Sequence, residues 1–248
     1  MKQLIRKLAW KVLGTPPSLA TPHWRRPIDT LNARREILDM AIMNIAIGTR
    51  NEETAAKSPT DDTLLGDYLE FGVFQGGAFI HSFKRAAERI PTMRFFAFDS
   101  FEGLPELKGR DEQGEFHEGQ FACSEPDFRR RLAAADVDER RVVTVPGWFD
   151  KSLTDEVKTN HQLHVASIAF IDCDLYESCV PVMEFLTSLV RQGSILIFDD
   201  WHNFRGDASR GVQLATQEWL DANPSFSLTP WFDFSHHGKA FIVNVKSN

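Results

Sequence analysis

The chain contains few cysteines, and their arrangement predicts little. Its 248 residues include three, Cys123, Cys173 and Cys179, and no two of them form a Cys-x-x-Cys pair. An odd number at these spacings does not indicate a disulfide framework. We therefore expect a protein of a reduced compartment, the cytoplasm, where thiols stay free.

The chain also lacks a long hydrophobic run and an excess of positive charge. No apolar stretch approaches the roughly 20 residues of a membrane-spanning helix. The formal net charge is -7, so we expect no nucleic-acid partner, which would need a basic surface. Residues 2–13 are the basic exception, with lysines and an arginine on one helical face and apolar residues on another. Such a helix packs on its own domain or a second subunit, or it contacts a membrane surface peripherally. No small-residue cleavage site marks it as a signal peptide.

Two nucleotide-binding signatures are missing as well. The glycine-rich stretch at residues 72–77 does not have the Gly-x-Gly-x-x-Gly spacing, and it lacks the Lys-Ser/Thr of a P-loop. No Tyr-x-x-x-Lys motif occurs. These absences argue against a nicotinamide-dependent reductase.

Apolar runs that alternate with helical patterns dominate the rest of the sequence. Runs read as buried strands occupy 68–73, 94–98, 142–145, 165–171 and 194–198, and two further strand-like runs at 226–230 and 240–245 follow without an intervening helix. This order predicts an α/β fold with a mostly parallel sheet, helices on both faces and antiparallel pairing at one edge.

The chain divides into two predicted regions. Residues 1–62 read as an N-terminal helical extension and linker, with a helix from Thr30 to a stop at Gly48. Residues 63–248 hold the alternating pattern and form the predicted catalytic domain. Within it, residues 101–122 have no clear period and read as a long loop that serves as a lid. A later helix is expected from Pro181 to Arg191, with a stop at Gly193.

The first three strands end in residues suited to a nucleoside cofactor. Glu70, Gly72 and Gly76 form a Glu-x-Gly-x-x-x-Gly pattern, the spacing typical of S-adenosylmethionine (SAM) binding. Asp99 ends the second strand, where a carboxylate can accept both ribose hydroxyls. After the third strand come Trp148 and Phe149, which can lie against adenine. Each feature alone has an ordinary structural interpretation, such as a glycine turn, a helix cap or a core aromatic.

The fourth and fifth strands end in acids. Asp172-Cys173-Asp174 follows one and Asp199-Asp200 the other, so neighbouring parallel strands would bring the carboxylates together. Such acids repel one another unless a cation is present, and oxygen ligands suit Mg²⁺, Ca²⁺ or Mn²⁺. His202 lies just beyond the second pair and is a candidate to face the substrate. His117, His236 and His237 are individually better read as surface residues.

With these residues assembled, the sequence resembles the macrocin O-methyltransferase family. The stretches that carry the resemblance are EFGVFQGGAF, FAFDSFEGLPE, GQFACSEPDFRRRL, VPGWFDKSL, FIDCDLYES and ILIFDDW. The resemblance implies a Rossmann-like class I methyltransferase fold with a seven-stranded sheet, SAM and usually Mg²⁺. It also implies an enzyme that methylates a hydroxyl of a sugar or other small polyol, and a homo-oligomer.

The resemblance assigns roles to residues at matching positions. The metal residues are Asp172, Asp199 and Asp200, and Asp172 is also the expected catalytic base, with His202 as the second choice. The predicted cofactor-binding residues are Glu70, Gly72, Gly76, Asp99, Ser100, Trp148 and Phe149. Two alternatives stay open: a metal-dependent phosphotransferase or glycosyltransferase that uses Asp172-x-Asp174, and a non-catalytic, membrane-associated SAM-binding protein.

Overall fold

The computed structural model describes residues 30–54, 65–112 and 116–246. The basic amphipathic segment at residues 2–13 lies outside this range. None of the helices in the described ranges has both the length and the apolar content that a membrane span requires.

A seven-stranded mixed sheet forms the centre of the fold, in the order β3-β2-β1-β4-β5-β7-β6. The strands are β1 Asp67–Phe71, β2 Phe95–Asp99, β3 Val142–Pro146, β4 Ala166–Ile171, β5 Ile195–Phe198, β6 Phe226–Phe234 and β7 Gly238–Val245. The first five pair in parallel, whereas β7 runs antiparallel to both of its neighbours, β5 and β6. The predicted mostly parallel sheet with late antiparallel pairing is confirmed.

Helices cover both faces of the sheet, as predicted. They are α1 Thr30–Thr54, α2 Gly77–Ala87, α3 Glu125–Ala134, α4 Phe149–Ser152, α5 Asp155–Asn160, α6 Tyr176–Leu186 and α7 Gly211–Ala222. One apolar core joins the sheet to α1, α2 and α3, and a second joins it to α6 and α7. The central strands β1, β4 and β5 are buried along their whole length and are mostly apolar, because both of their faces are covered.

Helix α1 belongs to the first of these cores. Ile37, Leu38 and Ile42 are buried with Phe79 of α2 and Phe170 of β4. The helix therefore packs directly on the sheet that carries the candidate site. The predicted boundary between residues 62 and 63 falls outside the described residues, so the division into two regions stays a prediction.

Two helices extend further than the sequence pattern indicates. Helix α1 continues past Gly48 to Thr54, because one glycine inside a helix costs only about 1 kcal/mol. Helix α6 begins at Tyr176, five residues before Pro181. Its first two amides donate to the carboxylate of Asp111, a residue distant in sequence. No local pattern announces this start.

Candidate active site

The carboxyl ends of the central strands open into one large cavity of about 1230 Å³. Pockets for single small molecules usually measure about 300–1000 Å³, so this one has room for two ligands side by side. Most of the predicted site residues line it, namely Glu70, Gly72, Asp99, Ser100, Trp148, Phe149, Asp172, Asp199, Asp200 and His202.

The glycine loop after β1 approaches β4 very closely at Gly72. The residue has a φ of +88°, and a Cβ built on it would lie 1.9 Å from the backbone oxygen of Asp172. Only glycine fits both the conformation and the space. Gly76 also has a positive φ of +75°, but a Cβ there would meet the ring of Phe128. Gly76 shapes the turn rather than lining the cavity, and its part in cofactor binding stays a prediction.

Asp99 clamps the glycine loop from the neighbouring strand. One carboxylate oxygen accepts hydrogen bonds from the amides of Val73 at 2.7 Å and Phe74 at 3.1 Å. The other accepts from the amide of Phe101 at 2.7 Å. Burial raises the pKa of Asp99, and these three amides partly oppose the rise. The side chain of Asp99 thus stabilises the loop. The oxygen that accepts from Phe101 has a second lone pair, which can accept from a ligand hydroxyl.

Glu70 lies at the base of the loop and is almost fully buried. Its carboxylate accepts a hydrogen bond of 2.5 Å from the hydroxyl of Tyr68 and one from the amide of Phe79. Burial raises the pKa of Glu70 to about 8, against the opposing effect of these donors and of Arg34. The buried acid is therefore largely protonated near neutral pH, and a cationic ligand beside it would favour the carboxylate.

The remaining predicted cofactor residues, Ser100, Trp148 and Phe149, also line the cavity. Trp148 and Phe149 are both half-buried, and the Phe149 ring meets Phe71 edge-on, with 6.1 Å between ring centroids. The hydroxyl of Ser100 donates to the carbonyl of Gly103 at 2.9 Å. Ser100 thus stabilises the start of the long loop while it lines the cavity.

The sheet places the acidic residues side by side. The amide of Asp172 donates to the carbonyl of Phe71 at 2.9 Å, and the amide of Asp199 donates to the carbonyl of Ile171 at 3.0 Å. The hydrogen-bond ladder between parallel strands therefore continues one residue beyond the carboxyl ends of β4 and β5. The side chains meet at Arg34 of α1. Its guanidinium forms a two-pronged pair with Asp199 and lies 3.6 Å from Asp172.

Arg34 is a functional residue that the sequence interpretation missed. Burial alone lowers its pKa, but the charges of Asp172 and Asp199 outweigh this and raise it above the ordinary value. The arginine supplies a positive charge where acids crowd together. It comes from the N-terminal helix, and no spacing in that helix distinguishes it from its neighbour Arg35.

The pKa values of Asp172, Asp174 and Asp200 in this cluster are all raised. Burial, followed by the charge of Asp199, raises the pKa of Asp172 well above its usual range. Burial also raises the pKa values of Asp174 and Asp200, to which the neighbouring carboxylates add. Asp200 accepts the amide of Asp174 at 3.2 Å and the side-chain amide of Asn203 at 2.9 Å. One arginine does not balance this much negative charge, so the cluster suits a further cation.

The donor geometry fits a metal ion. One donor atom each from Asp199, Asp200 and His237 lies within 4.8 Å of the other two. Asp172 is not in this group, although it shares Arg34 with Asp199. Carboxylate oxygens and an imidazole nitrogen are common ligands of divalent metals.

His202 lies further out on the cavity wall. Its Nε2 atom is 3.1 Å from Asp233, which also accepts a 2.7 Å hydrogen bond from Lys239. The imidazole is 41% exposed, in contrast to the acids at the cavity floor. Its position is compatible with contact to a substrate, and its predicted catalytic role stays a prediction.

The long loop forms the outer wall and is fixed at several points. Leu104 exchanges backbone hydrogen bonds with Gly119 and Gln120, which closes the loop at its base. Asp111, almost fully buried, accepts the amides of Tyr176 at 2.9 Å and Glu177 at 3.0 Å. The predicted lid is thus anchored to helix α6, and its motion stays a prediction.

Two exposed phenylalanines meet at the mouth of the cavity. Phe74 of the glycine loop and Phe121 of the long loop pack edge to face, with centroids 5.9 Å apart. Both adopt positive φ values, 43° and 61°. Such conformations are uncommon for bulky residues and often mark ligand-binding positions.

The fold and the site together define a class of protein. The strand order, the single antiparallel strand next to the edge and the glycine loop after β1 are those of class I SAM-dependent methyltransferases. Among solved structures, the O-methyltransferase NovP is similar, with 22% identity, 85% of this chain and 79% of that chain covered, and a TM-score of 0.64. The calicheamicin methyltransferase CalS11 is also similar, with 22% identity, coverages of 82% and 78%, and a TM-score of 0.60. At these identities the likeness establishes the fold alone.

Sequence comparison narrows the class to a family. The model of the Macrocin-O-methyltransferase (TylF) family matches residues 45–223. The chain therefore belongs to the macrocin O-methyltransferase family of SAM-dependent O-methyltransferases. It is also 30% identical over 145 residues to demethyldecarbamoylnovobiocin O-methyltransferase of Streptomyces niveus. That match covers 55% of this chain and spans about half of the relative, 53% of its length.

Proposed function

We propose that this protein transfers the methyl group of SAM to a hydroxyl of a sugar or another small polyol, with the help of a divalent metal at the acidic cluster. The observation that carries the proposal is the single cavity that contains both the glycine loop and the acids. Gly72 and Asp172 both line it, and their backbones touch. A cofactor on the loop would thus lie next to an acceptor at the carboxylates.

The cofactor end of the cavity suits a sulfonium nucleoside. Glu70 offers a buried carboxyl to the cationic methionine part, and the wall at Trp148 and Phe149 offers apolar surface to adenine. Asp99 holds the loop in shape and has capacity left for a ribose hydroxyl. The missing side chain at Gly72 lets the glycine loop pack directly on the backbone of Asp172, so a cofactor on the loop would lie beside the acids.

Asp172 is the proposed base. Its raised pKa makes its carboxylate a stronger proton acceptor than an ordinary aspartate, provided that it is ionised when the acceptor binds. The acceptor oxygen gives its proton to Asp172 and forms a bond to the methyl carbon. The carbon–sulfur bond breaks, and its electron pair returns to sulfur, which leaves the neutral thioether S-adenosylhomocysteine.

Asp172, Asp199 and Asp200 are the proposed metal residues. A divalent cation held by these residues would supply Lewis-acid chemistry, which lowers the pKa of a bound hydroxyl. The rest of the rate enhancement comes from the protein itself, which positions the two reactants and excludes water beneath the long loop.

The acceptor class follows the relatives. One is named demethyldecarbamoylnovobiocin O-methyltransferase, and CalS11 is described as a TDP-rhamnose 3'-O-methyltransferase. The second name supports an acceptor that carries a sugar. A cytoplasmic location, a homo-oligomeric state and a peripheral membrane contact through residues 2–13 are further parts of the proposal.

The alternatives fit the site less well. The phosphotransferase and glycosyltransferase readings use Asp172 and Asp174 but give no role to the glycine loop, which shares the cavity with them. A non-catalytic SAM-binding protein would have no use for several buried carboxylates in one cluster. Family membership favours methyl transfer over each of these.

The test combines binding with turnover. We expect calorimetry to show SAM binding, and mass spectrometry to show methylated product when TDP-rhamnose or related sugar nucleotides are supplied with Mg²⁺ or Mn²⁺. Asp172→Asn should abolish turnover and leave SAM affinity within about twofold, because it removes the base but keeps the shape of the side chain. Undiminished turnover in that variant would remove Asp172 from the mechanism. Binding of UDP-sugars or phosphate without SAM binding would favour the alternatives.

A further inference from the structure

The turn between β6 and β7 places a histidine beside the acids, and its position has chemical consequences. His237 belongs to neither the fourth nor the fifth strand end, where the acids lie. It reaches the cluster because β7 pairs with β5 in the antiparallel direction, so that the turn before β7 lies at the cavity. Its Nε2 atom is 3.9 Å from the nearer carboxylate oxygen of Asp199.

We infer that His237 is a nitrogen ligand of the divalent metal, together with Asp199 and Asp200, and that the site therefore prefers a first-row transition metal to Mg²⁺. The inference rests on the metal part of the proposed function and adds the ligand and the class of metal.

Distances support a shared ion. Ligand atoms that each lie about 2.0–2.2 Å from one ion are separated by about 3 to 4 Å. The 3.9 Å between His237 and Asp199 falls in this range, and the donor atoms of Asp199, Asp200 and His237 all lie within 4.8 Å of one another. The three donor atoms are therefore close enough for the proposal that they share one ion.

The surroundings hold His237 in place. Its backbone oxygen accepts the amide of His202 at 2.8 Å, and its ring lies against that of His236, with centroids 3.7 Å apart. The side chain is only 22% exposed. A ligand that is fixed before the metal arrives loses less conformational entropy on binding.

The hydrogen bonds of the acids leave room for an ion. Arg34 donates one hydrogen bond to each carboxylate oxygen of Asp199. Asp200 accepts one hydrogen bond on each oxygen, from the amide of Asp174 and from the side-chain amide of Asn203. Each carboxylate oxygen has two lone pairs, so both acids can still coordinate. Asp172, the third proposed metal residue, lies outside the group of three close donor atoms, so one of its oxygens remains available to accept the proton.

The chemistry of the donor set decides the metal. Mg²⁺ strongly favours oxygen ligands, whereas imidazole nitrogen suits the transition metals, whose affinities rise from Mn²⁺ through Co²⁺ to Ni²⁺. An acid-only site would accept Mg²⁺ readily. A site of two carboxylates and one imidazole should discriminate against it.

The test uses the full chain with metal ions alone. Titration calorimetry with CoCl₂, MnCl₂ and MgCl₂ measures the preference, and electron spin-echo spectroscopy of bound Mn²⁺ detects coupling to an imidazole ¹⁴N nucleus. We compare wild type with His237→Ala and with His236→Ala, which alters the adjacent stacked ring. Circular dichroism establishes that both variants are folded.

We expect Co²⁺ to bind at least about tenfold more tightly than Mg²⁺, because an imidazole nitrogen suits Co²⁺ better than Mg²⁺. Changes to partners outside the ligand set already cost about 10–100-fold in metal affinity, so the loss of a ligand should cost at least as much. His237→Ala should lower Co²⁺ affinity by about tenfold or more and remove the ¹⁴N signal. His236→Ala should retain that signal. Bound Mn²⁺ without ¹⁴N coupling in wild type, or coupling that survives in His237→Ala, overturns the inference. Metal-stimulated methyl transfer in the same samples would then leave the proposed function standing, and failure to bind SAM or any divalent metal would refute both.

Discussion

If SAM binds beside Glu70 as proposed, its affinity should depend strongly on pH, because the carboxyl group of Glu70 is buried. Burial raises its pKa to about 8, so at pH 7 only about one molecule in ten carries the charged form. SAM is a cation at sulfur and at its amino group, and it binds best beside the carboxylate. Binding below pH 8 must therefore expel a proton, at a cost of about 1.4 kcal/mol for each pH unit.

The magnitude follows from this cost. SAM affinity should rise by up to about tenfold for each pH unit between pH 6 and pH 8, and it should level off above pH 8. The slope has this sign because the ligand favours the deprotonated form of a group that is protonated in the free protein. Tyr68→Phe removes a hydrogen bond that favours the carboxylate, so it should move the plateau to a higher pH.

Titration calorimetry from pH 6 to pH 9, in buffers of different ionisation enthalpy, measures affinity and proton release together. Wild type should release nearly one proton at pH 6 and almost none at pH 9. Glu70→Gln cannot ionise, so its profile should be flat apart from any titration of SAM itself, which is common to both proteins. A flat wild-type profile would refute the reasoning, as would a Glu70→Gln profile that matches the wild type.

Three further predictions concern the framework of the site. Gly72→Ala should lower the free energy of unfolding by at least about 3 kcal/mol, because the new Cβ would clash with the carbonyl of Asp172 and the residue has a positive φ. Gly48→Ala is the control: Gly48 lies on α1 with open space around it, so the substitution should leave the stability unchanged or raise it by up to about 1 kcal/mol. Asp111→Ala should cost about 1–2 kcal/mol and speed amide exchange at the start of α6, because two amides lose their acceptor. Arg34→Met should cost about 1–3 kcal/mol without metal and tighten Mn²⁺ binding, because Asp172 and Asp199 lose their internal cation.

Denaturant unfolding measures the first two effects, and calorimetry with Mn²⁺ measures the last. Equal stabilities for the two glycine variants would contradict the close approach at Gly72. Unchanged amide exchange in Asp111→Ala would show that the long loop does not cap α6. Weaker Mn²⁺ binding in Arg34→Met would indicate that the arginine supports the metal site rather than competing with it.

Local sequence patterns were a reliable guide to the elements and to the strand ends. The parallel core strands were recognisable because both faces of each are buried, which makes them continuous apolar runs such as residues 166–171. The acids at positions 172, 199 and 200 stood out because parallel strands end at one edge, so motifs far apart in sequence must meet there. Periodicity was less informative at helix ends, as the early start of α6 shows.

The fold class, the family and the candidate cofactor and acid residues could be predicted from sequence alone, because each follows from a short run read in strand order. The packing of the chain was needed to bring Arg34, Asp111 and His237 to these runs. All three contact residues that are distant in sequence. Arg34 lies on helix α1, Asp111 in the long loop and His237 in the turn before β7. Their partners are set by how the helices and the antiparallel strand pack on the sheet, and no local spacing encodes that packing.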